Sequence, residues 1–457
     1  MTSSIRLSRS EKQNLFESLP VQQQGVYDIV IIGGGVVGLS VARSCAIHTN
    51  ASVLLIEKEN AVASGVSARN SGLGCTGYDA PIGSLERRLL RRSIRLHQNL
   101  YRSFGLSHHH VRKCGSLVVA WNETELAKLP QILQENQQAG DMEAVLLTQE
   151  ELRKLEPNLS HKALGAVYCP YESVTEPWLV PMGYAESARL NGVSFRLGTE
   201  VSEIKFNGFS SRWEIQTQST NFTTVARSKS GELLISSPPD RSPDELGHKS
   251  HVQETISAKV IINCAGLYSD EVESMIRRNC DQQQPTTYSQ GSFHSPFPTS
   301  QNSTGRSYRQ SHVISHKVFL GFRITPRKGQ FLVYKLPPSH QQGELMTIEP
   351  VATEFTKGVI VWRTLYGNMI VGPTADDVLE KDDYTTDPQT LKRLQLFGET
   401  VYPFLKDAEV IGSYSGLRPA SEYRDYQIYS NSNEDKKWIT VGGIRSTGTG
   451  HKNSFHF

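Results

Sequence analysis

The segment from residue 27 to residue 57 constrains the fold of this chain more than any other feature. Tyr27–Ile32 has the pattern of a buried strand, Gly33–Gly38 follows at once, and a second apolar run at 53–56 ends at Glu57. Strand, glycine turn, helix, strand and acid, in that order within about 30 residues, are typical of a nucleotide-binding βαβ unit. We therefore predict an α/β fold that starts with a Rossmann-type dinucleotide-binding unit.

Each glycine of the Gly-x-Gly-x-x-Gly spacing has a physical role. Gly33 permits the tight turn, Gly35 lets the backbone approach a pyrophosphate, and Gly38 lets the helix pack closely on the strand. The free N–H groups and the positive dipole end of the helix, which starts near Val36 and Val37, favour the same phosphates.

The acid at the end of the second strand lies 19 residues after Gly38. Glu57 can accept hydrogen bonds from the adenosine ribose, and its charge would repel a 2′-phosphate, which argues against NADP. Lys58 adjoins it and is included in the predicted cofactor site. The motif alone does not choose between NAD and FAD.

The segment after Glu57 bears on that choice. Small residues and the pair Asn70 and Ser71 within 69–85 could hydrogen-bond to a second phosphate or a ribityl chain. A basic helix follows, for which a solvated amphipathic face is favoured over a phosphate site. Its basic residues are Arg87, Arg88, Arg91, Arg92 and Arg95.

Together with two later motifs, these segments resemble the D-amino-acid-oxidase-type superfamily of FAD-dependent oxidoreductases. The later motifs are Asn263-Cys264-Ala265-Gly266 and the run from Gly442 to Gly448. Within the superfamily, the chain is most similar to the branch of glycerol-3-phosphate dehydrogenase and L-2-hydroxyglutarate dehydrogenase. The resemblance extends from about Tyr27 to Gly448 with the motifs in order.

This resemblance implies a glutathione-reductase-like FAD-binding domain, assembled from separated segments, and a mixed-sheet substrate domain over the pocket. Members bind FAD in an extended form and oxidise a C–OH or C–NH bond by hydride transfer to the flavin. The further cofactor-binding residues that the resemblance implies are Val201, Ala265, Gly266, Gly443, Arg445 and Gly448.

The chain of 457 residues is long enough for two domains that share segments. We predict a flexible N-terminal segment at 1–26 and a polar insertion at 281–316, and we expect 228–253 to be a polar surface segment as well. The predicted FAD-binding domain comprises 27–105, 185–205, 255–280 and 405–457, and the predicted substrate domain comprises 106–184, 206–254 and 317–404. Trp213–Gln216 is expected among the strands of the substrate domain.

Two arginines beside glycine turns are the predicted catalytic residues. Arg418, in Ser-Gly-Leu-Arg-Pro, resembles the arginine that holds the acid group of the substrate in related oxidases, and Arg445 resembles a second basic residue of that pocket. An arginine fork matches carboxylate or phosphate oxygens, although a structural salt bridge is the alternative for each. Lys328 and Tyr366 are weaker pocket candidates.

The sequence does not locate a general base. Many relatives carry histidine where this chain has Cys75, and a thiol replaces imidazole as a base only with a depressed pKa. Either the base lies elsewhere or the protein is a poor catalyst. A buried small residue beneath the flavin is favoured for Cys75, and a covalent flavin thioether stays open.

We expect a small anionic hydroxy compound as substrate, with glycerol-3-phosphate first and an L-2-hydroxy acid second. An amino-acid or sarcosine-type oxidase shares the arginine anchor and stays open. So does a flavin-binding isoform without catalysis, because the nine residues after Gly448 are too few and too polar for the long helix found at this place in the family. The electron acceptor, whether oxygen, a quinone or a flavoprotein, is not determined by the sequence.

Composition excludes several other classes. A net charge of +2, from 48 basic and 46 acidic residues, gives no field for nucleic acid. No apolar run approaches the roughly 18 residues of a transmembrane helix. Six cysteines without a Cys-x-x-Cys pair, and the adjacent His108–His110, predict no metal site and fit a reducing compartment, cytoplasmic or alternatively mitochondrial.

Overall fold

The computed structural model describes residues 25–78, 80–104, 110–227, 233–236, 252–279, 321–341, 345–352, 358–431 and 436–445. The predicted insertion at 281–316, the segment 1–24 and the residues from 446 onward, with Gly448, lie outside this described part.

Eight helices form within the described ranges. In chain order they are α1 (Val36–His48), α2 (Leu85–Ser103), α3 (Glu123–Leu126), α4 (Leu129–Gln138), α5 (Gln149–Leu155), α6 (Leu179–Leu190), α7 (Ser269–Arg277) and α8 (Pro388–Val401).

The strands of the same ranges number twenty. They are β1 (Val26–Ile32), β2 (Val53–Ile56), β3 (Leu73–Gly74), β4 (Val111–Lys113), β5 (Ser116–Ala120), β6 (Val145–Thr148), β7 (Gly165–Cys169), β8 (Ser173–Thr175), β9 (Ser194–Asn207), β10 (Arg212–Arg227), β11 (Leu233–Ser236), β12 (Val252–Asn263), β13 (Ile324–Lys335), β14 (Thr347–Pro350), β15 (Ile360–Arg363), β16 (Met369–Gly372), β17 (Asp376–Asp377), β18 (Glu409–Ser421), β19 (Gln427–Asn431) and β20 (Lys437–Gly442).

A first sheet of eight described strands has the order β11-β10-β9-β2-β1-β12-β20-β19. Its centre is parallel, since β1 pairs in parallel with both β2 and β12, and β12 pairs in parallel with β20. Every residue of β2 is buried, as expected for a strand covered on both faces. Helix α1 packs on one face, where Leu39 and Val41 join Tyr184 of α6 in one apolar core.

A second sheet of nine described strands is mixed. Its order is β17-β13-β16-β15-β14-β5-β7-β6, with β18 paired to β13. The pair β14 and β5 is parallel, whereas β13 runs antiparallel to β16 and β18. A third sheet has three strands in the order β3-β8-β4, and its strand β3 begins just after Asn70 and Ser71. The predicted α/β fold with a Rossmann-type unit and a mixed second sheet is confirmed.

Helix α5 ends two residues before Pro157, and Thr148 caps its start in a capping box with Glu151. One local prediction is corrected. Trp213–Gln216, expected in the substrate domain, instead belongs to β10, which pairs with β9 and β12 of the first sheet. Trp213 is fully buried there and meets the edge of Trp438.

Two further segments differ from their predicted setting. Strand β18 lies within the predicted FAD-binding range 405–457, but it pairs along its length with β13 of the second sheet. Within the predicted polar surface segment 228–253, the described residues Leu233–Ser236 form a strand paired with β10. In both cases a long antiparallel partner decides the position of the strand, and local composition does not reveal that partner.

Candidate functional site

The site forms where the carboxyl ends of β1, β12 and β20 meet at one edge of the first sheet. Gly33 follows β1, Cys264 follows β12 and Gly443 follows β20. Such an edge is where open α/β sheets bind their ligands. A single cavity extends from this edge to the facing surface of the second sheet.

The glycine turn has the geometry that the motif predicts. Gly33 has a φ of +111°, and a Cβ there would lie 2.4 Å from the Cys264 carbonyl oxygen. A Cβ at Gly38 would lie 1.9 Å from the Gly33 carbonyl oxygen. At Gly35 the nearest neighbour of an added Cβ would be Ser67 Oγ, at 3.3 Å, and this glycine lines the cavity. Gly35 therefore leaves its backbone accessible from the cavity, whereas Gly33 and Gly38 are packed too closely against backbone atoms to carry a side chain.

Helix α1 begins at this opening. Gly35 is its N-cap and provides no side-chain cap, while Val36 and Val37 line the cavity. The Val36 N–H donates to Ser67 Oγ at 3.0 Å. A 13-residue helix places its positive dipole end here, which suits a diphosphate.

Glu57 directly follows β2 and is held by backbone donors. Its Oε2 accepts from the Gly34 N–H at 2.6 Å, and its Oε1 accepts from the Glu59 N–H at 2.9 Å. Burial raises the pKa of this carboxyl, and the two N–H groups act in the opposite direction. The neighbouring Lys58 places its ammonium 3.8 Å from the ring centre of Tyr268. Neither Glu57 nor Lys58 lines the main cavity.

The predicted pair Asn70 and Ser71 lines the cavity, but its side chains also shape the loop. Asn70 Nδ2 donates to the Ser67 carbonyl at 2.8 Å, and Asn70 Oδ1 accepts from the Gly72 N–H at 2.8 Å. Ser71 Oγ accepts a long hydrogen bond of 3.4 Å from the Leu73 N–H.

The loop that carries Asn70 is clamped against β18. A Cβ at Gly416 would lie 2.0 Å from the Arg69 carbonyl oxygen, so only glycine permits this approach. Tyr414 Oη donates to the Asn70 carbonyl at 3.3 Å.

The remaining predicted cofactor residues divide into two groups. Gly266 and Gly443 line the cavity. Ala265, whose N–H donates to Asn263 Oδ1 at 3.2 Å, and the half-buried Val201 of β9 pack against the core beneath the first sheet. Cys75 is half-buried and lines the cavity, so its thiol faces the site.

Arg418 reaches across the second sheet into the cavity. Its Nη2 lies over Gly329, where a Cβ would be 2.8 Å away, and Nη1 and Nη2 both donate to the Thr374 carbonyl at 3.0 Å. Among the described residues no carboxylate lies within ion-pair distance of it. Burial, and then the charge of Arg327, lower its pKa to about 10, which still leaves it protonated at neutral pH.

Arg445, which follows β20, also lines the cavity. Its Nη2 donates to the Ser421 carbonyl at 2.8 Å and to the Tyr423 carbonyl, and its buried Nε has no hydrogen-bond partner among the described residues. Burial lowers its pKa, and the nearby Arg327 adds to that effect. The structure thus brings Arg418 and Arg445 to one cavity, and neither forms an ion pair with a described carboxylate.

Lys328 and Tyr366, the weaker pocket candidates, do not line this cavity. The Lys328 ammonium donates to Asp383 at 2.8 Å and to Thr385 at 3.2 Å on the far face of β13. Tyr366 is 73% exposed. Arg327 faces the cavity instead, opposite Arg418 in the β13–β18 register, and forms a two-pronged pair with Asp377. The alternation of a strand shows that Arg327 and Lys328 face opposite sides, but not which side is the cavity.

The basic helix α2 is less solvated than predicted. Arg88 and Arg92 are exposed, as a solvated face requires, but Arg87 is buried. Arg87 donates to the carbonyls of Tyr78 and Ala80 and thereby holds the loop that precedes α2 in place. Arg91 forms an ion pair with Asp141.

A buried acid on the second sheet also lines the cavity. Glu349 of β14 is 5% exposed, and its Oε2 accepts a hydrogen bond of 2.5 Å from the Tyr78 hydroxyl. The two residues are 271 positions apart, so no local sequence pattern could have paired them.

The comparison that decides the family covers nearly all of the chain. A model of the family described as FAD dependent oxidoreductase matches residues 28–315 and 303–450. This chain belongs to that family. It is thus an FAD-dependent oxidoreductase, and the glycine cradle, the uncapped helix start and Glu57 at the end of β2 fit this cofactor.

Relatives with curated names narrow the type. The chain is 26% identical to the glycerol 3-phosphate dehydrogenase of Caloramator mitchellensis, over 93% of this chain and 71% of the relative. It is 28% identical to the mitochondrial L-2-hydroxyglutarate dehydrogenase of Bos taurus, over 54% of this chain and 48% of the relative. The chain therefore spans only about half of the second relative, and both belong to the FAD-dependent type described above.

A solved structure shares the fold. The FAD-bound, dithionite-reduced L-alpha-glycerophosphate oxidase of Mycoplasma pneumoniae superimposes with a TM-score of 0.68 at 22% identity, over 94% of this chain and 92% of that chain. Among the described residues, no helix is long and apolar enough to cross a membrane. The same residues contain no cluster of three or more metal-ligating side chains.

Proposed function

We propose that this FAD-dependent oxidoreductase oxidises a small anionic hydroxy compound, with glycerol-3-phosphate as the first candidate and an L-2-hydroxy acid as the second. The observation that carries the proposal is the setting of Arg418. Its guanidinium is half-buried at the cavity and makes both described hydrogen bonds to one carbonyl. The outward N–H groups of such a fork match two oxygens of a carboxylate or phosphate.

The wider charge pattern of the cavity supports an anion. Five arginines line it, and of these Arg327 has a described carboxylate partner, Asp377. An anion that enters would be drawn to Arg418 and Arg445. A low-dielectric wall makes each of these attractions stronger than it would be in water. The further lining arginines are Arg69 and Arg424.

The cofactor would be held by the residues that the sequence predicts. We propose that the N–H groups after Gly35 hold the diphosphate, that Glu57 binds the ribose, and that Gly266 and Gly443 border the flavin. FAD, when bound, supplies the acceptor for the hydride removed from the substrate carbon. The chain itself orients the anion, excludes water from the cavity and receives the hydroxyl proton.

An anaerobic visible spectrum of the FAD-loaded protein tests the proposed function. Glycerol-3-phosphate, then L-2-hydroxyglutarate and shorter 2-hydroxy acids, and then amino acids, are added in turn. Bleaching of the flavin band by a hydroxy compound supports the proposal and ranks its two candidates. Bleaching by amino acids alone, with imine and then peroxide formed in air, contradicts it.

A further inference from the structure

Glu349 lies on the same sheet surface as the anion anchor. Phe331 of β13 is opposite Tyr414 of β18, and Arg327 is opposite Arg418 four residues further along. An even number of steps keeps side chains on one face of a sheet. The register continues from Phe331 through β16 and β15 to β14, where Glu349 is next to Ile360. Phe331, Ile360 and Glu349 all line the cavity.

The spacing of the sheet gives the distance between anchor and acid. The Arg418 guanidinium lies over Gly329 and beside Thr374, between β13 and β16. Strands about 4.8 Å apart and a rise of about 3.4 Å per residue place this guanidinium about 14 Å from the Glu349 Cα, and a glutamate side chain directed along the cavity wall covers about 4 Å of that separation. A hydrogen bond of about 2.8 Å at each end leaves about 4–5 Å between an anionic oxygen and a hydroxyl oxygen. Glycerol-3-phosphate spans such a distance.

The surroundings hold the carboxylate in place and keep it from bulk water. The Tyr78 hydroxyl donates to it at 2.5 Å, and Arg87 fixes the Tyr78 carbonyl. Two buried thiols adjoin it: burial raises the pKa of Cys114 to about 11 and raises that of Cys169 further, and the charge of Glu349 adds to both shifts. Glu172, which acts on both thiols, and Asp141, which acts on Cys169, are further carboxylates of this region.

We propose that Glu349 is the proton acceptor of the reaction and that Tyr78 positions it. This inference rests on the proposed function. The substrate O–H bond breaks and its proton passes to the Glu349 carboxylate. The carbon that bears this hydroxyl gives up its one hydrogen, with both electrons of the C–H bond, as the hydride that FAD, when bound, would accept. The alcohol thereby becomes a ketone, and Glu349 performs the role that Cys75 is poorly suited to perform.

Two variants and one control test the proposal in the FAD-loaded protein. Glu349→Gln keeps the shape of the side chain but cannot take the proton. Tyr78→Phe removes only the positioning hydroxyl. Glu156→Gln is the control, because Glu156 is another buried carboxylate, bonded to the Met346 N–H outside the cavity. The anaerobic rate of flavin bleaching by glycerol-3-phosphate is measured against pH for each protein, together with the affinity for inorganic phosphate by calorimetry.

We expect Glu349→Gln to slow bleaching about 100-fold or more, the usual contribution of a general base, and to abolish the rise of the rate with pH. Tyr78→Phe should shift that rise to a different pH and slow the reaction less. Phosphate affinity should stay within twofold in both variants, and Glu156→Gln should keep the wild-type profile.

The outcomes separate this inference from the proposed function. If wild-type flavin is bleached by glycerol-3-phosphate and Glu349→Gln has the same rate and pH profile, the role of Glu349 is wrong while the proposed function stands. The same conclusion holds if Glu349→Gln loses phosphate affinity in proportion to rate, because the residue would then only maintain the site. If no hydroxy compound bleaches the wild type, both proposals are overturned.

Discussion

The guanidinium of Arg418 lies directly over the Cα of Gly329, on the neighbouring strand of the same sheet face. A Cβ at Gly329 would lie 2.8 Å from Arg418 Nη2 and 2.8 Å from Pro373 Cβ. The position of Arg418, the proposed anion anchor, thus depends on the absence of a side chain one strand away. If Arg418 binds the substrate as we propose, Gly329 of β13 is as important for substrate binding as the arginine of β18.

Gly329→Ala should displace the anchor without removing it. We expect KM for the anionic substrate to rise about tenfold, since one charged hydrogen bond is worth about 1.5–3 kcal/mol, with FAD content unchanged. Gly412→Ala is the matched control, because Gly412 lies on the paired strand β18 and an added Cβ has no neighbour within 4 Å. Steady-state kinetics of the two variants would contradict the prediction if their KM values were equal.

Arg418→Ala should remove the anchor itself. The expected loss is roughly ten- to hundredfold in KM, from the same energy per charged hydrogen bond. Arg418→Lys should recover only part of it, because an ammonium lacks the planar fork. Arg88→Ala, at an exposed position of α2, is the control. Equal KM values for Arg418→Ala and the wild type would remove the main support for an anionic substrate.

The adjacent residues Arg327 and Lys328 offer a test of which face of β13 meets substrate. Arg327→Ala should raise KM, because it removes a positive charge from the cavity wall. Lys328→Ala should leave KM unchanged and lower the melting temperature, since its ammonium bonds Asp383 and Thr385 away from the cavity. Steady-state kinetics and thermal unfolding of both variants test this prediction. A raised KM in Lys328→Ala together with an unchanged KM in Arg327→Ala would show that Lys328, and not Arg327, faces the cavity.

Gly38→Ala should abolish FAD binding. Its Cβ would lie 1.9 Å from the Gly33 carbonyl oxygen, so helix α1 could not stay packed against the glycine turn. Gly65→Ala is the control in the neighbouring loop, where an added Cβ meets nothing within 4 Å. The ratio of flavin to protein absorbance in the purified variants measures the effect. A full complement of flavin in Gly38→Ala would be incompatible with the packing described above.

Asp28 gives a stability prediction with a defined pH window. Lys259, and then the Ser52 N–H, lower its pKa from 3.8 to about 2, so the folded state favours the ionised carboxylate. Its contribution is fully present above pH 3.8 and is lost as the pH falls through about 2. With solvent screening, Asp28→Asn should cost about 1 kcal/mol at neutral pH. Urea unfolding at several pH values checks this, and a cost that persists at the acid end would contradict the assignment.

The part of the site that depends on local sequence could be predicted well. The β1–α1–β2 unit follows from hydrophobic runs and glycine spacing within about 30 residues, and both are visible in the chain. Site residues on the second sheet were harder to predict, because the register of strand pairing determines which side of the sheet each side chain lies on. Arg327 and Lys328 are adjacent and chemically alike, and only the pairing with β18 shows that Arg327 meets the cavity.

Long-range pairings set the limit of sequence reasoning. Trp213 has the apolar alternation of any half-buried strand, so its pattern is equally compatible with either sheet. Its position follows from the pairing of β10 with both β9 and β12. Tyr78 and Glu349 meet across 271 residues, and neither lies in a motif that indicates the other. Such contacts follow from tertiary packing alone.

The contact between Gly416 and Arg69 joins the two halves of this candidate site mechanically. Strand β18 carries Arg418, the proposed substrate anchor, and the loop pressed against it borders the cavity that we propose for the flavin, so neither can shift without moving the other. In the proposed function, capture of the substrate and retention of the flavin are thereby linked. An evolutionary change of substrate in this scaffold would have to leave that strand in place and work through the side chains around it.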